Sequence, residues 1–197
     1  MKIEMKKFFQ KDCIIGLDIG SSSIKLAKFI KNESGYQLLE GRIKEIQQGE
    51  ERVSSLKSIL SAIGLRGAKV ITLLNSPQAM VKRVVVPQMP RDELRGALAL
   101  EIKNYFPFPV TDSLMDFEVV GEVMEKGAKK LEVLLAVCPY AAIKECVALL
   151  AQAGIRPDCI IHSSLSLYNL VKVYNPKNVS SLAAIDIGKT FCELVIV

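Results

Sequence analysis

The sequence predicts an α/β chain in which a first lobe is interrupted by a second α/β segment. Three observations lead there. Short runs of apolar and β-branched residues alternate with stretches whose apolar residues recur at helical spacing. The stretches that open and close the globular part each read as strand, turn, strand. The character of the chain changes after Asn75-Ser76-Pro77, so that 77–160 reads as an insert between 13–76 and 161–197, with 1–12 as a tail. With 50% apolar and 24% charged residues, the balance is that of an ordinary globule whose core needs neither metal nor disulfide.

The elements follow in order. Residues 13–30 hold two strands around a turn, and Tyr36 to Ile46 supplies a third after the turn formers Asn32-Glu33-Ser34-Gly35. Val53, Leu56, Ile59, Leu60 and Ile63 keep helical spacing, and Gly64 is placed to end that helix. Ala68 to Leu74 reads as a buried strand and Val81 to Val86 as another. Pro87 and Pro90 then flank a helix that carries Leu94, Leu98, Ile102 and Tyr105 on one face, the pattern of a core stripe, and that halts at Pro107. Phe106 and Phe108 beside Pro107 and Pro109 read equally as an exposed aromatic landing site or a buried corner. Two strands, LMDFEVVGEV and LEVLLAV, surround the turn EKGAKK. Ile143, Val147 and Leu150 mark a helix stopped by Gly154 and Pro157, Ser163 to Tyr174 a further helix closed by Asn175-Pro176, and the chain finishes on SLAAIDIGKTFCELVIV.

Charge narrows the partners. The net charge is +5, and residues 1–11 hold Lys2, Lys6, Lys7 and Lys11 against Glu4, leaving the body close to neutral. No basic stripe with interleaved aromatics appears, which argues against nucleic acid. The tail reads either as a solvated, frayed terminus or, with Phe8-Phe9, as a segment that touches an anionic membrane surface. The five cysteines, at 13, 138, 146, 159 and 192, form no CxxC pair and read as buried small hydrophobes of a reducing compartment. No signal peptide and no bilayer-length apolar run is present, so the chain is expected to be cytoplasmic or to face the cytoplasm.

The chemistry lies in an echo. LDIGSSSIKLAKF (17–29) aligns without gaps on IDIGKTFCELVIV (185–197), matching Asp18 with Asp186 and Gly20 with Gly188. A glycine lets the backbone turn closely against a ligand. Successive N–H groups of such a turn suit phosphate oxygens. Ser21, Ser22 and Ser23 add hydroxyl donors, and Lys25 adds a point charge. Carboxylates repel phosphate, so Asp18 and Asp186 make sense beside it only with a cation between, and hydrated Mg²⁺ is the fitting one. Two such hairpins would clamp a nucleoside triphosphate tail. The Walker and dinucleotide-fold patterns GxxxxGK[ST] and GxGxxG are absent, and SIKLAKFI continues as a strand where those motifs open a helix. A lone Asp-x-Gly is often just an Asx turn; two copies in one frame, one extended by SSSxK, point to phosphate.

These residues carry a resemblance. DIGSSSIK resembles the first phosphate loop of the actin-like ATPase superfamily, and AAIDIGKTFCEL resembles the second. The stretch VKRVVVPQMPRDELRGALALEIKNYFPFPVTDSLMDFEVVG, with LEVLLAVCPYAAIKECVALLAQAGIRP, resembles the PilM family of type IV pilus assembly proteins. The resemblance implies an actin-like (ribonuclease H-like) first lobe, subdomain 1A, with an inserted α/β subdomain 1C over 77–160. It implies ATP and Mg, with Gly20, Ser21, Ser22, Ser23 and Lys25 on the phosphates, Gly188, Lys189 and Thr190 opposite them, and Asp18 and Asp186 around Mg through water. It further implies a cytoplasmic scaffold for pilus assembly and twitching motility, docking the N-terminal tail of the membrane protein PilN on the insert. PilN would link it to the inner-membrane platform, which includes PilO and PilP, and to the pilus motor, with membrane contact only through these partners. The alternatives of the same superfamily are an FtsA-like cell-division adaptor and an ATP-dependent sugar kinase.

Three departures accompany it. Lys189-Thr190-Phe191-Cys192 follows Gly188 where the superfamily is richer in Gly and Thr. Matching SLSLY (164–168) to the helix before the second loop places His162 near the superfamily's catalytic polar residue, although a hydrogen-bonded helix-end histidine is the plainer reading. The sequence stops at Val197 without the second lobe, so the chain is expected to be at most a weak ATPase and, at this length, not catalytic.

Overall fold

The computed structural model describes residues 13–65, 67–106, 112–174, 179, 181–190 and 192–197. Two compact units divide the chain. One holds Met1–Leu73, Val147–Ile161 and Asp186–Cys192; the other holds Leu74–Cys146, His162–Ile185 and Glu193–Val197.

The first unit is organised by β1 (Cys13–Ile19), β2 (Ser23–Asn32), β3 (Gly35–Glu45), α1 (Arg52–Ser61) and β4 (Lys69–Leu74). β1, β2 and β3 form an antiparallel meander, and β4 pairs parallel to β1. A parallel neighbour cannot be reached by a tight turn, so the chain crosses over through α1. Strand alternation puts Cys13, Ile15 and Leu17 of β1, Ile24 and Leu26 of β2, and Val70 and Thr72 of β4 out of solvent. Leu56, Ile59 and Leu60 of α1 are buried with them. The one hydroxyl in this strand row is satisfied: Thr72 Oγ1 donates to the Leu17 carbonyl at 3.1 Å. β8 (Cys159–His162) completes the sheet order β3-β2-β1-β4-β8. Its approach is held by Asp158, whose carboxylate accepts the Val70 amide at 2.8 Å while its own amide donates to the Val70 carbonyl at 2.8 Å.

The second unit is built on β5 (Met80–Pro87), α2 (Arg91–Tyr105), β6 (Ser113–Glu125) and β7 (Ala128–Pro139), all within the stretch 77–160. The strands pair antiparallel in the order β5-β7-β6. Leu94, Leu98 and Ile102 of α2 form one core with Val84, Val86, Phe117, Leu131, Val133, Leu135 and Val137, and Tyr105 packs partly against it. The expected stripe is therefore core. Phe106 is the buried corner, 5% exposed, while Phe108 and the predicted stop at Pro107 lie outside the described residues. Arg91 and Arg95 of α2 lie over the Phe117 ring at 5.6 and 5.3 Å, and their guanidiniums reach Glu118 and Asp116. Arg95 also donates to the Met115 carbonyl at 3.4 Å.

α3 (Tyr140–Gln152) ends where Gly154 adopts φ +79° and the Ile155 amide turns back to the Leu150 carbonyl at 2.9 Å. α4 spans Ser163–Tyr174, matching the predicted limits; Asn175-Pro176 lies outside the described residues. β9 (Ala183–Ile187) and β10 (Cys192–Ile196) pair with each other as a two-stranded sheet of their own, separate from the five strands. Leu182 and Val197 exchange two backbone hydrogen bonds of 2.9 Å at its base.

One expectation is corrected. Only Cys13 and Cys138 are buried; Cys146 is half-buried, and Cys159 and Cys192 are exposed. Cys159 opens β8 at the sheet border, and Cys192 opens a ribbon whose strands are largely uncovered, so an apolar neighbourhood in sequence did not translate into burial.

Candidate functional site

Strand register sets the first turn. Antiparallel pairing from Cys13↔Ile30 to Ile19↔Ile24 places Asp18 directly opposite Lys25. Opposed side chains on such a pair are neighbours, and Lys25 Nζ lies 3.2 Å from Asp18 Oδ2. The carboxylate is 22% exposed and the ammonium 49%. An ion pair this open to water contributes roughly 0–1 kcal/mol, weak enough for Lys25 to turn to another anion. The cation beside Asp18 is the same lysine expected to meet phosphate.

The tip is closed by the Gly20 amide, which donates to the Ser23 carbonyl at 2.9 Å and leaves Ser21 and Ser22 as the turn residues. Gly20 lies outside the left-handed region, so backbone freedom is not what selects it. A Cβ there would stand 3.0 Å from the Ser23 carbonyl oxygen, a tight contact that asks the carbonyl to give by a few tenths of an ångström. The Ser22 carbonyl accepts the Ile46 amide at 2.8 Å, which ties the tip to the chain just past β3. Ser21, Ser22 and Ser23 are all half-buried.

The second turn runs from Asp186 at the end of β9 to Cys192, and Asp186, Gly188, Lys189 and Thr190 are exposed. Thr190 Oγ1 donates to Ser21 Oγ at 3.4 Å, across 169 positions of sequence. That distance is long for an O–H···O bond, so it marks proximity more than cohesion. Of the expected residues, Ser21 and Thr190 are the two that bring the hairpins into direct contact.

Two carboxylates bear on the metal question. Among the described residues no group of three or more His, Cys, Asp or Glu side chains could hold a metal ion. Asp18 and Asp186 supply hard oxygen donors. They fit Mg²⁺ that keeps several waters and is held largely by phosphate oxygens, and they do not fit a cage made by protein alone.

His162 immediately precedes α4, in the N-cap position. The Ser164 amide donates to Nδ1 at 3.2 Å, so that nitrogen is an acceptor and Nε2 carries the proton donated to the Ala79 carbonyl at 3.1 Å. Ser164 Oγ lies 2.7 Å from Nδ1 as well. Both ring nitrogens are engaged as a cap engages them. Next to it, the Ser163 hydroxyl donates to Glu193 Oε1 at 2.5 Å, placing a β10 carboxylate at the positive end of α4. Sequence reasoning passed over Ser163 and Glu193. The available signal was a carboxylate inside an apolar strand, where even a half-buried charge favours a partner.

Comparison with known proteins extends the picture. The family model described as "Type IV pilus assembly protein PilM" matches residues 16–197. Among solved structures, the chain is similar to one in a "PilM-PilN type IV pilus biogenesis complex", with TM-score 0.73 and 23% identity over 93% of this chain and 57% of that one. It is also similar to the cytoplasmic domain of EpsL, an inner-membrane component of the type II secretion system of Vibrio cholerae. That match has TM-score 0.55 and 13% identity, over 93% of this chain and 71% of the other. A third match is a Bacteroides thetaiotaomicron protein with an actin-like ATPase fold and unknown function, with TM-score 0.50 and 9% identity, over all of this chain and 69% of that one. The fold is one lobe of the actin-like architecture, as the resemblance of the two loops implied. The chain spans a little over half, 57%, of the length of the pilus-complex chain it matches.

Proposed function

Because this chain belongs to the family of the type IV pilus assembly protein PilM, we propose that it is a nucleotide-binding scaffold of pilus assembly that docks a PilN-like membrane protein. The observation that supports the nucleotide reading is the Ser21–Thr190 contact, which brings two Asp-Ile-Gly turns tip to tip within one unit. The Gly20–Ser23 turn and Lys25 hold the polyphosphate of ATP from one side, and Gly188, Lys189 and Thr190 hold it from the other. Asp18 and Asp186 would hold Mg²⁺ through water, and the bound ion would supply the positive charge that offsets the repulsion between carboxylate and phosphate. Lys25 would be available to a phosphate, since its exposed pair with Asp18 is weak. His162, whose ring nitrogens engage Ser164 and Ala79, is read as a cap of α4.

The partner reading rests on the family. The PilN-like N-terminal peptide docks on the inserted subdomain, 77–160, and through it the scaffold joins the inner-membrane platform and signals to the motor. The protein works in the cytoplasm.

Calorimetric titration with ATP, in Mg²⁺ and in chelator, tests the site. Saturable heat in Mg²⁺ that is lost in chelator and in Asp18→Ala supports it; equal heats in wild type and Asp18→Ala overturn it. Titrating a labelled peptide from the N-terminus of a PilN-type protein tests the partner, with saturable binding expected and a flat trace decisive against it.

A further inference from the structure

We propose that β3 is a self-association edge, on which a second copy of this chain adds its own β3 antiparallel, Gly41 facing Gly41 across a two-fold axis. β3 runs eleven residues, Gly35–Glu45, along the border of the five-stranded sheet. Among the described residues it pairs on one side alone, with β2. Its outer row of backbone N–H and C=O groups is open to a further strand. Large apolar side chains accompany that row: Tyr36, Leu38, Leu39 and Ile43 are all exposed, Leu39 at 49% and Ile43 at 73%. Strand addition is the mode of recognition that covers both features at once.

Charge decides which strand fits. A two-fold pairing of antiparallel strands sets one residue against its own copy, and every other pair follows from that choice. The β2–β3 register shifts between Lys28 and Phe29, which leaves Glu40 to Glu45 as the regular run. Within that run, centring on Glu40, Arg42, Lys44 or Glu45 puts like charges together, and centring on Ile43 puts Arg42 against Lys44. Centring on Gly41 sets Glu40 against Arg42 twice, Leu39 against Ile43 twice, and Glu45 against the neutral amide of Gln37. Leu38 then faces Lys44, whose ammonium is engaged by Glu50 at 3.2 Å.

Opposite charges facing each other across a strand pair are favourable and like charges are not, so LEGRI (39–43) matches its own copy. Within one chain Arg42 Nε already donates to Glu40 Oε1 at 2.6 Å, and both side chains lie on one face of the strand. In the pair, the two sets close into a ring of alternating charge. The residue at the axis offers no obstruction, because even an added Cβ at Gly41 meets nothing within 4 Å. The borders of the three-stranded sheet lack this match: β5 places Lys82 beside Arg83, and β6 carries Asp116 and Glu118 on one face.

The test is sedimentation equilibrium of the full chain over a range of concentrations, and a dimer is expected. Arg42→Glu, which sets Glu40 against an acid, should raise the dimer dissociation constant by at least about tenfold. Glu40→Arg with Arg42→Glu exchanges the two signs and should restore it, with the melting temperature confirming that each variant is folded. A thiol reads the register. In a chain carrying Cys159→Ser and Cys192→Ser, Gly41→Cys should form an intermolecular disulfide on mild oxidation, since residues facing across a strand pair lie within disulfide reach. Glu45→Cys, about 27 Å from its own copy, should not. A chain that stays monomeric overturns the proposal, which is the result expected if the edge takes an extended peptide of another protein. So does a dimer that Arg42→Glu leaves intact, one that the exchanged pair fails to restore, or equal crosslinking at the two cysteine positions.

Discussion

Ser21 and Thr190, 169 positions apart, meet hydroxyl to hydroxyl at 3.4 Å. The contact is too long to hold two hairpins together by itself. Its meaning is positional: it brings to one place the two polar turns that the sequence repeats.

The turn's geometry can be strained with one methyl group. Gly20→Ala would put a Cβ 3.0 Å from the Ser23 carbonyl oxygen, a backbone atom with little room to move. A loss of about 1–2 kcal/mol is expected, read as a lower denaturation midpoint in urea with an unchanged slope.

The Asp18–Lys25 pair should matter little to stability. A double-mutant cycle with Asp18→Ala and Lys25→Met is expected to give a coupling below about 1 kcal/mol, because both groups reach solvent. Each single variant is expected to weaken Mg-ATP binding by tenfold or more by calorimetry, the loss of a charge-assisted contact. A large stability coupling with unchanged nucleotide affinity would make the pair a structural one.

Thiol reactivity should divide the cysteines. Cys159 and Cys192 are exposed and should react quickly with a chromogenic disulfide in the native protein. Burial pushes the Cys138 and Cys146 thiols up, with the neighbouring thiol adding to it at Cys138 and Glu145 adding to it at Cys146. Buried Cys13 and Cys138 should react only on unfolding, and half-buried Cys146 should react at an intermediate rate.

Alkaline stability carries a signature of Tyr105. Its hydroxyl is pushed up to about 12, first by burial and then by the hydrogen bond it donates to Glu101 at 2.8 Å. The unfolded chain releases this proton near 10, so the native state holds it through a window in which the unfolded state has lost it. The tyrosine's contribution is whole below about 10 and is lost as pH climbs toward about 12. Tyr105→Phe should flatten the decline of the melting temperature across that window; an unchanged slope would remove Tyr105 as its source.

Much of this fold was legible because its strongest elements are periodic. The Leu94-Leu98-Ile102 stripe read as core packing in preference to a partner groove, and core it is; the meander announced itself through alternation and turn residues. β8 escaped notice because four residues, CIIH, are too few to alternate and their place in the sheet comes from Asp158 and Val70, distant in sequence. For the candidate site, the echo located both turns, yet it could not foresee that Lys25 would rest on Asp18. Cross-strand register, which a one-dimensional pattern does not contain, decided that pairing. The exposure of Cys159 and Cys192 was missed for a related reason, since composition is blind to which strands lie at a border.

β6 borders its three-stranded sheet, and a strand in that position is an invitation to aggregate, since its unpaired backbone groups can recruit any extended chain. The Arg95 guanidinium already occupies the Met115 carbonyl there, with Arg91 and Arg95 braced on Phe117 and on the carboxylates beside it. The opposite border, β5, carries Lys82 and Arg83 and ends at Pro87. Both borders thus carry charged side chains of the kind that discourage strand addition, so replacing them with apolar residues would turn each border into a template for a further strand.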